Sequence, residues 1–252
     1  MKIIHDRQKA RKLLGLVSAL LFPVTMLYFS PGMVFRGARL GVLSGSYITF
    51  AILFISAVVF GRAWCGWLCP VAGLSEMALP VRNEPFRADR LKVTKYIIWV
   101  IWLIAIAFVV VAVGGGFRHI DPLLGTYKGI SIHNASLLLA YYFVVGIIMA
   151  ASLLAGKRGF CHTLCWMAPF MVLGRKLGNT LRLPALRLTA RNEPCSGCRS
   201  CETFCPMSLP VPEMVRRGAM EHIDCILCGA CADACANQVL LLSFRRPETK
   251  DL

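Results

Sequence analysis

Cysteine is the residue of this chain best placed to do chemistry: there are twelve in 252 residues, in two patterns. Near the C-terminus, Cys195-x2-Cys198-x2-Cys201-x3-Cys205-Pro206 is followed by Cys225-x2-Cys228-x2-Cys231-x3-Cys235. Three closely spaced thiolates wrap one face of an iron–sulfur cubane, and a fourth set further along ligates the other cluster of a pair. The spacing assigns Cys195, Cys198, Cys201 and Cys235 to one [4Fe–4S] cluster, and Cys225, Cys228, Cys231 and Cys205 to a second. Zinc is the competing reading. Zinc ribbons, however, show paired Cys-x2-Cys knuckles rather than a doubled triplet plus one.

The other four cysteines form a duplicated pair. Arg62-Ala63-Trp64-Cys65-Gly66-Trp67-Leu68-Cys69-Pro70 is echoed by Arg158-Gly159-Phe160-Cys161-His162-Thr163-Leu164-Cys165-Trp166. If each Cys-x3-Cys is helical, its two sulfurs share a face. The repeat then predicts pseudo-twofold packing that brings Cys65, Cys69, Cys161 and Cys165 together. Four thiolates suit a third iron–sulfur cluster or another metal site. Two other readings stand beside it: small apolar packing residues, or dithiols cycling with disulfides.

Long apolar segments must position these groups. No Asp, Glu, Lys or Arg occurs in Leu13–Phe35, Leu40–Gly61, Tyr96–Phe117 or Gly129–Gly156. Each run is long enough to cross a hydrocarbon core of about 30 Å as a helix. With 57% of residues hydrophobic and 16% charged, the chain reads as a membrane protein with four spans, the first uncleaved. Basic residues set the orientation. Twenty-four of the 28 Lys and Arg fall before span one, between spans two and three, and after span four; Arg36, Arg39, Arg118 and Lys128 fall on the other side. By the positive-inside rule both termini are cytoplasmic. The reducing cytoplasm then disfavours disulfides. The net charge of +15 is mainly this topology signal, with anionic lipid headgroups as partners; it follows membrane edges, not a nucleic-acid recognition helix.

The predicted fold is an all-α membrane bundle of four transmembrane helices with a pseudo-twofold repeat, plus a small α+β two-cluster domain. Its parts are a cytoplasmic N-terminus at 1–12, a membrane domain at 13–175, a basic surface connector at 176–194, the two-cluster domain at 195–244 and a polar tail at 245–252. Gly197 and Gly229 are expected to let the backbone approach the clusters. Ile223, Ile226, Val239, Leu240 and Leu242 are expected to shield them. Trp64, Trp67 and Trp166 read as interfacial belt residues. Arg62, Lys157 and Arg158 read as topology anchors with a secondary role in neutralising charge.

The eight-cysteine domain resembles a bacterial two-cluster ferredoxin, with Ala236 where that pattern has a second proline. With the spans and the Cys69-Pro70 motif included, nearly the whole chain resembles the NapH-type membrane polyferredoxins; NosR and CcoG-type proteins share parts of the plan. In the second motif Trp166 stands where the family pattern has proline. The resemblance implies a multi-pass protein of the bacterial inner membrane that exchanges electrons with the quinone pool, as a quinol dehydrogenase component, or with a membrane or cytosolic redox partner. Its CcoG branch implies an alternative, a maturation or metal-handling factor that reduces metal ions or thiols. His119 and His133 flank one loop and offer no paired haem ligands, so haem is not expected. His162 could take protons from a quinol. Arg118, His119 and Asp121 read as a solvated connector. No nucleotide-binding motif appears.

Overall fold

The structure is a computed structural model that describes residues 2–113, 116–191 and 195–247. Positions 192–194 of the expected connector and 248–252 of the expected tail lie outside the described residues. The chain is mostly helical. In order come α1 (Lys2–Leu20), α2 (Phe22–Thr25), a 3-10 turn (Met26–Phe29), α3 (Pro31–Leu40), β1 (Val42–Ser44) and α4 (Gly45–Phe60). The first cysteine pair follows on α5 (Ala63–Trp67) and at the start of α6 (Pro70–Met77). A second 3-10 turn (Asp89–Val93), α7 (Thr94–Ala112), β2 (His119–Asp121) and α8 (Ala135–Ala155) lead to α9 (Gly159–Thr163) and α10 (Ala168–Thr180), which flank the second pair. The C-terminal part comprises β3 (Ala185–Ala190), α11 (Ser200–Thr203), α12 (Val211–Arg217), α13 (Ala230–Asp233) and β4 (Leu240–Arg245).

Among the described residues, two helices are long and apolar enough to cross a bilayer alone, Asp89–Ala112 and Ala135–Ala155. Both leave large apolar side chains uncovered, such as Ile101, Phe108, Leu139 and Phe143, as lipid-facing helices do. The first two expected spans are interrupted. Asp6–Leu20 and Phe22–Phe29 meet at 57°, and Gly45–Phe60 and Ala63–Met77 at 99°; counting each bent pair as one span gives up to four. Local chemistry explains both bends. Pro23, in the first turn of α2, cannot donate a backbone hydrogen bond to α1 and clashes with its last turn. At the second bend Gly61 has φ +55° and ψ −135°, a conformation that ends α4. As a straight helix α4 is about 24 Å long at 1.5 Å per residue, short of the hydrocarbon thickness. Leu40–Ser44, expected to be part of that span, instead close α3 at Gly41 and form β1, which pairs in parallel with β2.

α4 packs along α10. Gly174 and Gly178 lie against the carbonyls of Phe54 and Val58, the close approach that small residues four apart allow. The expected surface connector is not one. Residues 176–180 continue α10, and β3 pairs antiparallel with β4 from Ala185↔Arg245 to Ala190↔Leu240. The sheet of the cysteine-rich part therefore begins before residue 195. The basic residues of the N-terminal segment lie in the first turns of α1, and Arg7 there pairs with Asp233 of that part.

Candidate functional site

The two cysteine triplets take one backbone path. In Cys195–Cys201 the residues on either side of the middle cysteine, Gly197 and Arg199, have φ of +71° and +58°. In Cys225–Cys231 the equivalent Leu227 and Gly229 have φ of +50° and +74°. Alternating right- and left-handed residues curl a chain so that successive N–H groups point inward, making a cradle for negative charge. Glycine takes this conformation freely; Arg199 and Leu227 take it at a cost of order 1 kcal/mol each, so the surroundings must hold them there. Each triplet then enters a short helix, α11 or α13, and the fourth cysteine follows it.

Two cavities result. One is lined by Cys205, Cys225, Cys228 and Cys231, with Ile226 and Leu242. The other is lined by Cys195, Cys198, Cys201 and Cys235, with Val239 and Leu240. Each fourth cysteine thus crosses to the other triplet. None of the twelve cysteines is in a disulfide. Among the described residues no three His, Cys, Asp or Glu side chains are spaced to hold a single metal ion; the four thiols surround a void instead of converging on a point. Burial pushes the Cys225 thiol up to about 12 and the Cys205 thiol up to about 11. Thiols so placed ionise together only against strong positive charge, which the iron of a cluster supplies. The donor set, the inward N–H groups and the void fit a [4Fe–4S] group in each cavity. Of the five expected shielding residues, Ile223 is the exception: it is half exposed and borders a different cavity.

The membrane-edge cysteines do not form helical i,i+4 pairs. Cys65 and Cys161 sit on α5 and α9, but Cys69 is extended (φ −73°, ψ 122°) and Cys165 lies beyond the end of α9. Cys69 precedes Pro70, and a residue before proline is driven out of the α region. The two motifs nevertheless end alike. Leu68 N–H and Cys69 N–H both donate to Trp64 O, at 2.9 and 3.0 Å; Leu164 and Cys165 do the same to Phe160 O, at 3.0 and 3.1 Å. All four cysteines are buried in one core. Burial, then the charges of Cys161 and Cys65, push the Cys165 thiol up to about 12, so the two motifs are electrostatic neighbours. The Cys65 thiol also donates to Met171 Sδ at 3.5 Å.

The residues read as anchors and belt are internal. Arg158 is 1% exposed, donates to Cys65 O at 2.8 Å and pairs with Glu76, which Arg11 also reaches at 2.7 Å. Lys157 Nζ donates to Thr203 O at 2.8 Å. Arg62 and Lys95 both bind Asp224, at 3.2 and 2.8 Å, next to Cys225. Trp67 Nε1 donates to Leu227 O at 3.2 Å and Trp166 Nε1 to Phe29 O at 2.8 Å. Sequence reasoning missed Glu76, Lys95 and Asp224. The available signal was acidic residues beside Cys motifs in a chain with only 13 acids against 28 bases. His162 is fully buried, stacks on Phe86 at 4.3 Å, and has no partner for either ring nitrogen among the described residues. Burial holds its pKa down to about 3, so it is neutral.

Gly66 carries the closest approach between the two cysteine systems. A Cβ there would stand 2.5 Å from Ile226 O and 3.4 Å from Cys228 Cα. Both neighbours are backbone of the second triplet and cannot swing aside. Gly66→Ala is therefore expected to destabilise the protein by about 1–3 kcal/mol, the usual range for overpacking. Thermal bleaching of the iron–sulfur absorbance is the measurement; a midpoint equal to wild type would show that this contact is loose.

Comparison with known proteins follows the same division. A family described as a 4Fe-4S binding domain matches residues 44–87 and again 137–184, the two segments that carry the paired cysteines. A 4Fe-4S dicluster domain matches 194–240. An uncharacterized protein of Methanocaldococcus jannaschii is 27% identical over 259 residues, covering 99% of this chain and 92% of the relative. The ferredoxin-type protein NapH of Escherichia coli is 25% identical, covering 81% of this chain and 68% of NapH. The methylamine utilization ferredoxin-type protein MauN of Methylobacillus flagellatus is 24% identical, covering 96% and 81%. No solved structure matches.

Proposed function

We propose that this chain, a NapH-type polyferredoxin with [4Fe–4S] domains, passes electrons between two cytoplasmic clusters and the quinone pool, or a membrane redox partner. The observation that carries the reading is the pair of four-cysteine cavities, of which the one lined by Cys225, Cys228 and Cys231 abuts the Cys65 turn at Gly66. The ligands are Cys195, Cys198, Cys201 and Cys235 in one cavity and Cys205, Cys225, Cys228 and Cys231 in the other. Bound there, [4Fe–4S] clusters supply one-electron redox chemistry. The chain does the rest. Its curled triplets aim N–H groups inward, Val239, Leu240, Ile226 and Leu242 exclude water, and Gln8 Nε2 holds Cys228 O at 3.0 Å.

The membrane is that of the cytoplasm, with both termini and the cluster domain inside. The balance of 24 basic residues against four supports this orientation. The four bases counted outside flank β1, β2 and the turn after it, at the far end of α4 from the cysteines.

Anaerobically purified full-length protein is expected to hold about eight irons per chain, four per cluster, and its cluster EPR signals are expected to appear on addition of quinol. A colourless, zinc-loaded protein would sink the reading. Cluster-replete protein that quinol leaves oxidised would shift the exchange to a protein partner.

The membrane-edge set Cys65, Cys69, Cys161 and Cys165 is proposed as a third cluster or redox thiol site, not a lone-ion site, since no three such side chains among the described residues are spaced for a single metal ion. Its burial, its mutual electrostatics and the bond from Arg158 support that use. Replacing Cys65 and Cys161 by Ser is expected to leave the two-cluster iron in place and to abolish any metal or EPR signal beyond it. Native protein with about eight irons, no other metal and no reactive thiol pair would remove this site from the proposal.

A further inference from the structure

Each duplicated cysteine pair has an arginine three residues before its first cysteine, Arg62 in one and Arg158 in the other. Both are buried, and each shares its carboxylate with a second buried cation. Asp224 takes Arg62 at 3.2 Å and Lys95 at 2.8 Å. Glu76 takes Arg158 and, at 2.7 Å, Arg11. Two cations against one carboxylate leave each group with one net positive charge. We propose that these two excess charges stabilise the reduced form of the cluster held by Cys205, Cys225, Cys228 and Cys231, so that it takes an electron before the other cluster does. The inference rests on the two-cluster reading above and names the residues that set the order of reduction.

Both groups border the seam between the membrane-edge turn and the second triplet. Arg62 Nη1 also donates to Ile223 O at 2.9 Å, and Asp224 adjoins Cys225. Arg158 Nη1 donates to Cys65 O at 2.8 Å and Arg11 Nη1 to Gly66 O at 3.3 Å. Gly66 in turn lies against the backbone of Ile226 and Cys228. Arg11 Nε holds Gln8, whose amide donates to Cys228 O. The other acids near this triplet do not cancel the excess. Glu221 is shared by Arg175 and Arg187, and Asp233 is paired with Arg7. The first cavity differs. Among the described residues the charged side chain that lines it is Arg199, which is exposed and paired with Glu202 at 2.9 Å; solvent screens such a charge.

A cubane held by four thiolates is anionic, and reduction adds one electron without breaking a bond. Net charge and solvent exposure are both levers on its potential. Here they oppose each other. Exposure favours reduction of the first cluster, because Cys195 and Cys198 are exposed while Cys205, Cys228 and Cys231 are buried. Charge favours the second. At an effective dielectric of about 20, one unit charge about 10 Å away shifts a one-electron equilibrium by about ten-fold, and two such charges act together. Burial alone would make the second cluster the harder one to reduce, so the reverse order is a signature of the charges. The electron then rests on the cluster that abuts the Cys65 turn, the side on which the membrane part is reached.

The test is an anaerobic, mediator-assisted redox titration of full-length, cluster-loaded protein, followed by EPR. The second cluster is the signal that a water-soluble paramagnetic chelate leaves sharp and that Cys228→Ser removes. In unaltered protein this signal is expected to appear first as the potential is lowered. Lys95→Met leaves Arg62 and Asp224 as a one-to-one pair. It should make the second cluster about ten-fold harder to reduce, about 59 mV for a one-electron step, and leave the first cluster unmoved. Lys95→Arg keeps the charge and should titrate as wild type does. Should Lys95→Met lose iron, Arg11→Met removes one charge from the other group and is expected to act in the same direction. Three results would overturn the assignment: the first cluster reduced first in unaltered protein, an unmoved midpoint in an iron-replete charge-removing variant, or an equal shift in Lys95→Arg. Clusters that reduce in the expected order but take no electron from quinol leave this assignment in place and remove the quinone exchange, so the two fail separately.

Discussion

Replacing Cys228 by Ser is expected to lower the iron content from about eight to about four per chain, because one [4Fe–4S] cluster loses a thiolate. Cys198→Ser, the equivalent change in the first triplet, is expected to remove the same amount of iron from the other cavity. The structure predicts that the two variants differ in stability. Cys198 is exposed, whereas Cys228 is buried, its carbonyl bound by Gln8 of α1 and its Cα against Gly66 of α5. Loss of the second cluster therefore loosens the contact with the membrane part, while loss of the first leaves it in place. In a small metal-bound domain, ligand binding is a large share of folding free energy. Iron analysis with EPR and limited proteolysis reads both effects. Full iron in either variant would contradict the ligand assignment; equal protease resistance would contradict the difference in coupling.

The largest effect expected from a residue that touches no cluster belongs to Asp224. Its carboxylate is 2% exposed and binds Arg62 and Lys95, which are 3% and 1% exposed. Asp224→Asn leaves two buried cations facing a neutral amide, and breaking a buried pair in this way costs about 3–5 kcal/mol. The chaotrope midpoint for cluster bleaching should fall accordingly. Lys95→Met in the same chain should recover part of the loss by removing one stranded charge. A midpoint within error of wild type would mean that water reaches this site. The pH dependence has a definite sign. Burial alone would raise the Asp224 pKa, but Lys95 and then Arg62 outweigh it and hold the carboxyl well below its ordinary value. Its contribution to stability is therefore complete above the usual aspartate range, near pH 4, and is lost as the pH falls below it.

Much of the site was legible before the structure. Eight cysteines in a doubled triplet-plus-one pattern imply crossed ligation, the arrangement in which the fourth cysteine of each run serves the other cluster of a pair. The structure lines each cavity with one such set. The membrane character was legible too, since apolar runs bounded by charge are a property of composition. Their straightness was not. Pro23 and Gly61 are single residues whose effect depends on the neighbours that receive the bent segment. The Cys-x3-Cys pairs illustrate the same limit. Helical periodicity puts positions i and i+4 on one face, but Pro70 forces Cys69 into an extended conformation, and backbone bonds to Trp64 and Phe160 end both turns instead.

By itself the sequence determined the chemistry: which residues are soft ligands, how many there are, and that they sit at the ends of apolar segments. These follow from side-chain type and spacing, which need no partner. Only the tertiary structure decided what the charged residues are for. Arg62, Lys95 and Arg158 carry the basic signature of a membrane edge, yet each is buried against a partner distant in sequence, at Asp224 or Glu76. A charge is stable inside a protein only when an opposite charge arrives from elsewhere, and the pairing is set by how separate elements pack, not by local sequence.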